Sequence, residues 1–253
     1  MNASEKPEPV SRRNRPAKAP LSRRAIVDAA LRIARERGIE AVTMRRVAEA
    51  LDTAAGSLYV YVANRDELVA YMLESVFGGI DYETDSASPW QDRAVTLVGR
   101  QIAAFSQYPG LALSLAGAIP VGENAVAAGE RMLSLLVEAG IEPQRAAWGV
   151  DLIGLYATAA AVESTAHVSR DAHDLVERDY LSVARERYAA MDPERYPTMS
   201  AMVDLLLSGD GEQRQEWAVR VLLAGIVATA VPGSSSTAVT APVPRTDRHS
   251  ARS

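Results

Sequence analysis

A chain of 253 residues, 48% of them hydrophobic, has the apolar material for one large packed domain or two modest ones. It has no cysteine, which excludes a disulfide framework and a thiolate metal site, and its longest apolar runs, such as 221–231, are too short to span a bilayer. The net charge of −5 conceals a division: residues 1–65 carry 13 Lys+Arg against 7 Asp+Glu, whereas residues 66–253 carry 14 against 25. A basic end on an acidic body points to a polyanionic partner for that end, the plainer alternative being a solvated basic face.

Residues 1–20, rich in Pro and Arg, read as a disordered basic arm. Arg12, Arg13, Arg15 and Lys18 could lie along phosphates or enter a minor groove; otherwise the arm is a solubility tail. With no apolar core in this stretch a signal peptide is not expected, and together with the lack of cysteine this suits the cytoplasm. Ser22 can cap a helix to Arg37, stopped by Gly38, with Ala25, Ile26, Ala29, Ala30, Ile33 and Ala34 as its apolar stripe. Thr43 can cap the next helix, Met44 to Leu51, with Val47, Ala48 and Leu51 on one face. Asp52-Thr53 breaks the pattern and Ala55 to Tyr61 restarts it, with Leu58 inward and Ser57, Tyr59 and Tyr61 outward. Two short helices about a tight corner have the shape of a helix-turn-helix, whose second helix enters the DNA major groove. Residues 21–65 are therefore expected to form a three-helix DNA-binding domain.

The same stretch resembles a known family. G-S-L-Y-V-Y-V followed by N-R-D-E-L is similar to the signature of the tetracycline-repressor (TetR) family, through Gly56, Leu58, Tyr59, Tyr61, Val62, Arg65, Glu67 and Leu68. It departs from that signature at the corner, where Asp52 replaces the usual Gly, and at Ala54, which cannot cap by its side chain; Thr53 is the substitute cap. The resemblance implies that Arg45 reads a base, that Thr43, Arg46, Ser57, Tyr59 and Tyr61 approach bases or phosphates, and that Arg65 pairs with a phosphate.

Residues 66–231 read as a helical regulatory and dimerisation domain. Asp66-Glu67 open a helix to about Phe77, and 81–89 is a polar loop. Helices follow at 91–107, 111–118, 123–139, 143–167, 171–190 and 212–231, with a short one at 199–207 inside a Pro-containing connector. No segment alternates like a strand, so the fold class is all-α. Residues 232–253, rich in Ser, Thr, Pro and Arg, read as a disordered tail. The helices at 143–167 and 212–231 carry small and branched residues on several faces, so each must bury more than one. They are either central core helices or a seam between two copies; the resemblance implies the seam, hence a homodimer.

Catalytic chemistry finds little support: three histidines, no nucleophilic Cys and no phosphate loop. His167 and His173 could share a metal with Glu163, but Glu163 and His167 lie four apart on one helical face and a local hydrogen bond is the simpler reading. No catalytic residue, metal or cofactor is expected. S-P-W-Q-D at 88–92, Y-P-G at 108–110 and A-V-E at 161–163 resemble the body of the tetracycline-binding branch, which holds its drug as a magnesium chelate through a histidine; Ser114 stands at that place here. Phe105, Ser114, Trp148, Tyr156, Glu163 and His167 are the candidate pocket residues.

These readings converge on a homodimeric, ligand-responsive repressor that binds a palindromic operator and is released by a small hydrophobic effector. An all-α binding protein or enzyme with a vestigial motif is the alternative in another class, and a non-specific DNA-coating protein is a third; specific, salt-dependent binding to an upstream fragment discriminates them.

Overall fold

The computed structural model describes residues 20–116, 121–171 and 177–232, with side chains described outside 166–171 and 177–181. The arm residues Arg12, Arg13, Arg15 and Lys18, the tail from 233 and the His167 side chain lie outside what is described. Among the described residues there are helices and no strand.

The first helix, α1 (Arg23–Arg37), begins where Ser22 Oγ accepts from Ala25 N at 3.2 Å and ends at Gly38, whose φ of 76° turns the chain out of the helix. Its small residues are consumed by packing: Ala29, Ala30 and Ala34 are fully buried, so α2 (Met44–Ala50) and α4 (Arg65–Gly78) can approach it closely. Thr43 caps α2 by accepting from Arg46 N at 3.2 Å. The corner residue Asp52 adopts φ 49°, the left-handed conformation its side chain tolerates better than most. The next helix, α3, is a single turn, Ala55–Leu58, shorter than the expected run to Tyr61. Its N-cap is Ala54 with no side-chain bond, so Thr53 does not substitute; the chain leaves through a bond from Val62 N to Leu58 O. Lack of a cap and a missing second turn belong together, since a helix this short leaves its first N–H groups without partners inside it.

Asn64 caps α4, whose buried Leu68, Val69, Met72, Val76 and Phe77 belong to one continuous core with α1 and the body. The body contains α5 (Trp90–Ser106), a 3-10 helix at Leu111–Leu115, α6 (Glu123–Glu138), α7 (Pro143–Asp171), α8 (Glu177–Ala189), α9 (Pro197–Ala201), α10 (Val203–Leu206) and α11 (Gly211–Ala228). The expected helix at 111–118 is thus a tighter 3-10 turn, and the single helix at 199–207 is two short ones. The expected helix at 143–167 runs on to Asp171. α5 lies against α6, α7 and α11, and α4 docks on α6.

Head and body are fastened at a few places. Ile39 N donates to Pro109 O at 2.8 Å, and Arg35 reaches Gln107 Oε1 at 2.8 Å and the Tyr108 hydroxyl at 3.0 Å. At the far end of α4, the Glu74 carboxylate accepts from Asn124 N at 2.9 Å and Ala125 N at 3.3 Å, so a side chain from one helix caps another whose own N-cap is Gly122.

Candidate nucleic-acid interface and body cavity

Arg45 extends into solvent at the start of α2, paired only with Glu49 one turn on, at 3.0 Å. Such an exposed pair contributes little and can be exchanged for a base edge at small cost. Tyr59, 54% exposed, stands at the end of α3; Ser57 and Tyr61 are half-buried beside it. Gly56 has open space where a Cβ would be, so none of the described residues covers this turn. Arg46 bonds back to Ala41 O at 3.2 Å while its residue remains exposed.

Arg65 is placed differently from the expectation. Its guanidinium donates to Val42 O at 2.9 Å and Ile39 O at 3.0 Å, fixing the start of α4 to the segment that leads into α2. Two of its five N–H donors thus go to carbonyls, so Arg65 braces the motif whatever else its remaining donors meet. Arg23 makes a similar tie, donating to Tyr61 O at 3.3 Å and lying 4.5 Å over the Tyr71 ring. Tyr71 in turn donates to Glu67 at 2.9 Å; the Ala63 N–H, then this hydroxyl, hold the Glu67 carboxyl below its ordinary range.

In the body a cavity of about 850 Å³ lies between α4, α5, α6, α7 and the Leu111–Leu115 helix. Its lining is mainly apolar, with Phe77, Leu97, Val98, Met132, Ile153 and Val162 among the walls. The polar residues lining it are Tyr82, Gln101, Asp151, Thr158 and Glu163; two are carboxylates, and none of the described lining residues is cationic. Such a lining suits a drug-sized, largely apolar ligand and disfavours an anion. Gly129 and Gly154 also line it, and a Cβ at either would meet nothing within 4 Å, so both keep the space open.

Of the six expected pocket residues, Glu163 lines this cavity and His167 lies outside the described side chains. The other four are corrected. Phe105 is 1% exposed and meets Phe77 edge-on, ring centroids 5.0 Å apart, as core. Ser114 lines an adjoining cavity of about 570 Å³ beside α4, which shares Phe77, Leu115 and Ala125 with the larger one, while Leu113 lines only the larger. Trp148 is 55% exposed, on the outer face of α7. Tyr156 turns toward α11, its hydroxyl 3.5 Å from Gln215 O; burial, then the Glu163 charge, pushes its phenol up. Tyr82, Gln101, Asp151 and Thr158 were not anticipated, because nothing local marks a residue as facing a space enclosed by five elements.

α7 divides its circumference three ways. Ala146, Ala157 and Ala161 enter the core, Ile153, Gly154, Leu155, Thr158 and Val162 line the cavity, and Trp148 and Leu152 point outward. On the adjoining α11 an exposed row begins with Trp217, 69% exposed, and continues through Val221 and Gly225; a Cβ at Gly225 would meet nothing within 4 Å.

Residues 84–230 match the family described as tetracyclin repressor-like, C-terminal domain, and residues 26–72 match bacterial regulatory proteins, tetR family. The chain belongs to the TetR family. Among curated relatives it is 40% identical over 113 residues to the HTH-type transcriptional repressor KstR of Mycolicibacterium smegmatis, covering 43% of this chain and 54% of KstR. It is 30% identical over 152 residues to the HTH-type transcriptional repressor DrrR1 of Streptomyces coeruleorubidus, covering 58% and 56%. These alignments span about half the length of the curated relatives. Over most of its length it is similar to the solved structure of the TetR family protein ActR of Streptomyces coelicolor in complex with actinorhodin, with a TM-score of 0.74 and 26% identity, covering 85% of this chain and all of that one. ActR has also been solved in its apo form and with (S)-DNPA. Among the described residues no helix is long and apolar enough to cross a membrane, and no group of three His, Cys, Asp and Glu could hold a metal.

Proposed function

We propose that this TetR-family chain is a cytoplasmic, homodimeric repressor that reads a palindromic operator and is released by a hydrophobic, non-anionic effector bound in the body cavity. The observation that carries the reading is the presence in one chain of an uncovered helix-turn-helix and a largely apolar cavity of about 850 Å³, joined through a common core. The ligand-bound ActR structures support effector control in a similar fold.

The dimer reading rests on α7 and α11, whose outward Trp148, Leu152, Trp217 and Val221 are large apolar side chains left in water on two adjoining helices. Burial against a second copy removes that surface from water, and two-fold pairing places two heads on two half-sites. Arg45, Ser57, Tyr59 and Tyr61 make the base and phosphate contacts in this reading, with Thr43 and Arg46 at the edge.

Release requires an effector that binds one arrangement better than the other. Leu113, Leu115 and Ala116 line the cavity, and the turn just before them holds the head through Pro109 O and Tyr108. A ligand that moves the Leu111–Leu115 helix therefore strains the head's attachment.

The test is a gel-shift titration of a DNA fragment from upstream of the chain's own gene, using polycyclic compounds in EDTA and in excess magnesium. Release by neutral apolar compounds in EDTA is expected, and Gly154→Leu, which fills the cavity, should abolish it. Release only by tetracyclines with magnesium would overturn the effector reading.

A further inference from the structure

A helix of one turn without a side-chain cap, as α3 is, does not fix the direction of its own exit. Tyr59 and Tyr61 stand on that exit, and its backbone is held from outside. Val62 anchors in the core, 1% exposed. On either side of it, Arg23 of α1 donates to Tyr61 O at 3.3 Å, and the Ala63 N–H donates to the Glu67 carboxylate of α4. One side chain joins these two holds. The Tyr71 ring lies 4.5 Å from the Arg23 guanidinium, and the Tyr71 hydroxyl donates to the other Glu67 oxygen at 2.9 Å. Glu67 and Tyr71 lie one turn apart on α4. Bound by the Ala63 N–H and then by this hydroxyl, Glu67 stays ionised; the same bond pushes the Tyr71 phenol up, so it keeps its proton.

Tyr71 is neutral, half-buried and set on α4 behind the reading residues. It therefore adds nothing to the attraction of phosphates, which depends on charge. What it can change is the precision with which Tyr59 and Tyr61 are held, and a binding constellation must be fixed to within about half an ångström. We propose that Tyr71 is a positioning residue for sequence reading: by seating Arg23 and Glu67 together it fixes the 61–63 backbone and so the aim of Tyr59 and Tyr61. The proposal rests on the reading of this motif as the operator contact.

For the test, full-length wild type first selects its site from a randomised duplex library, and a shuffled duplex of the same length serves as non-specific DNA. Affinities for both are measured over a salt series for Tyr71→Phe, which loses the hydroxyl alone, and for Tyr71→Leu, which also loses the ring beneath Arg23. On the selected site Tyr71→Phe should lose about three- to tenfold, the worth of one hydrogen bond, and Tyr71→Leu about two- to fivefold more. On the shuffled duplex both should change less than about twofold, with unchanged salt slopes. Amides 61–63 should exchange faster in both variants at a temperature where both are folded. In a Glu67→Ala background, where the bond is already gone, Tyr71→Phe should cost less than about twofold on the selected site. Undiminished affinity for the selected site, equal losses on both duplexes, or the full loss in the Glu67→Ala background would overturn the role of Tyr71 while the operator reading stands. Selection of no site by the wild type would overturn the operator reading and this role with it.

Discussion

The DNA-reading head takes its side-chain caps from the adjacent residue, whereas the body uses both adjacent and distant ones. In the head, Ser22, Thr43 and Asn64 each cap the helix that follows them, and Gly38 and Asp52 turn the chain at helix ends. In the body, Asp210 caps α11 from the adjacent position, but α6 starts at a glycine and takes its cap from Glu74, some fifty residues earlier in the chain. The surfaces differ in the same sense. The head leaves arginine and tyrosine side chains in water, whereas α7 and α11 leave tryptophan, leucine and valine. A region built from local instructions presents its partner surface as a motif; one built from distant contacts presents it as a cavity and an uncovered face.

The largest effect expected from this contrast is Phe105→Ala. As a core ring against Phe77 it should cost about 3–5 kcal/mol of stability, read by denaturant unfolding. A variant that unfolds like the wild type but has lost effector binding would move Phe105 back to the pocket.

Next come the two arginines of the head. Arg65→Ala removes charged donors from two carbonyls and should cost about 1.5–3 kcal/mol of stability, with no change in the salt slope of operator binding beyond what lost folding explains. Arg45→Ala should leave the melting curve almost unmoved and cost roughly 1–3 kcal/mol of operator affinity, relaxing preference at one base pair. If the two exchange these signatures, Arg65 is the nucleic-acid contact and Arg45 the brace.

The smallest effects concern the caps, at about 1 kcal/mol each. Thr43→Ala should raise hydrogen exchange only in the first turn of α2. Glu74→Ala should raise it in the first turn of α6, remote in sequence from the substitution. Unchanged exchange in α6 would show that its start is held by packing alone.

By itself the sequence determined the all-α class, the helix-turn-helix and most helix boundaries of the head. Caps, glycine stops and the 3.6-residue stripe act within a few residues, so they can be read in order along the chain. Polarity likewise marked Arg45 and Tyr59 as solvent-facing. Which side of α7 meets the core, the cavity or the outside was decided only by the tertiary structure, since a helix apolar on several faces does not state which neighbour each face will find. The same holds for Ser114 and Leu113, which adjoining cavities take on either side of one tight turn, and for Arg65, whose bonds to two backbone carbonyls depend on where the fold brings 39–42. Tyr82 is the extreme case: two acidic neighbours make its loop look solvated, yet its hydroxyl is buried while Asp81 and Glu83 pair with α5 and α6.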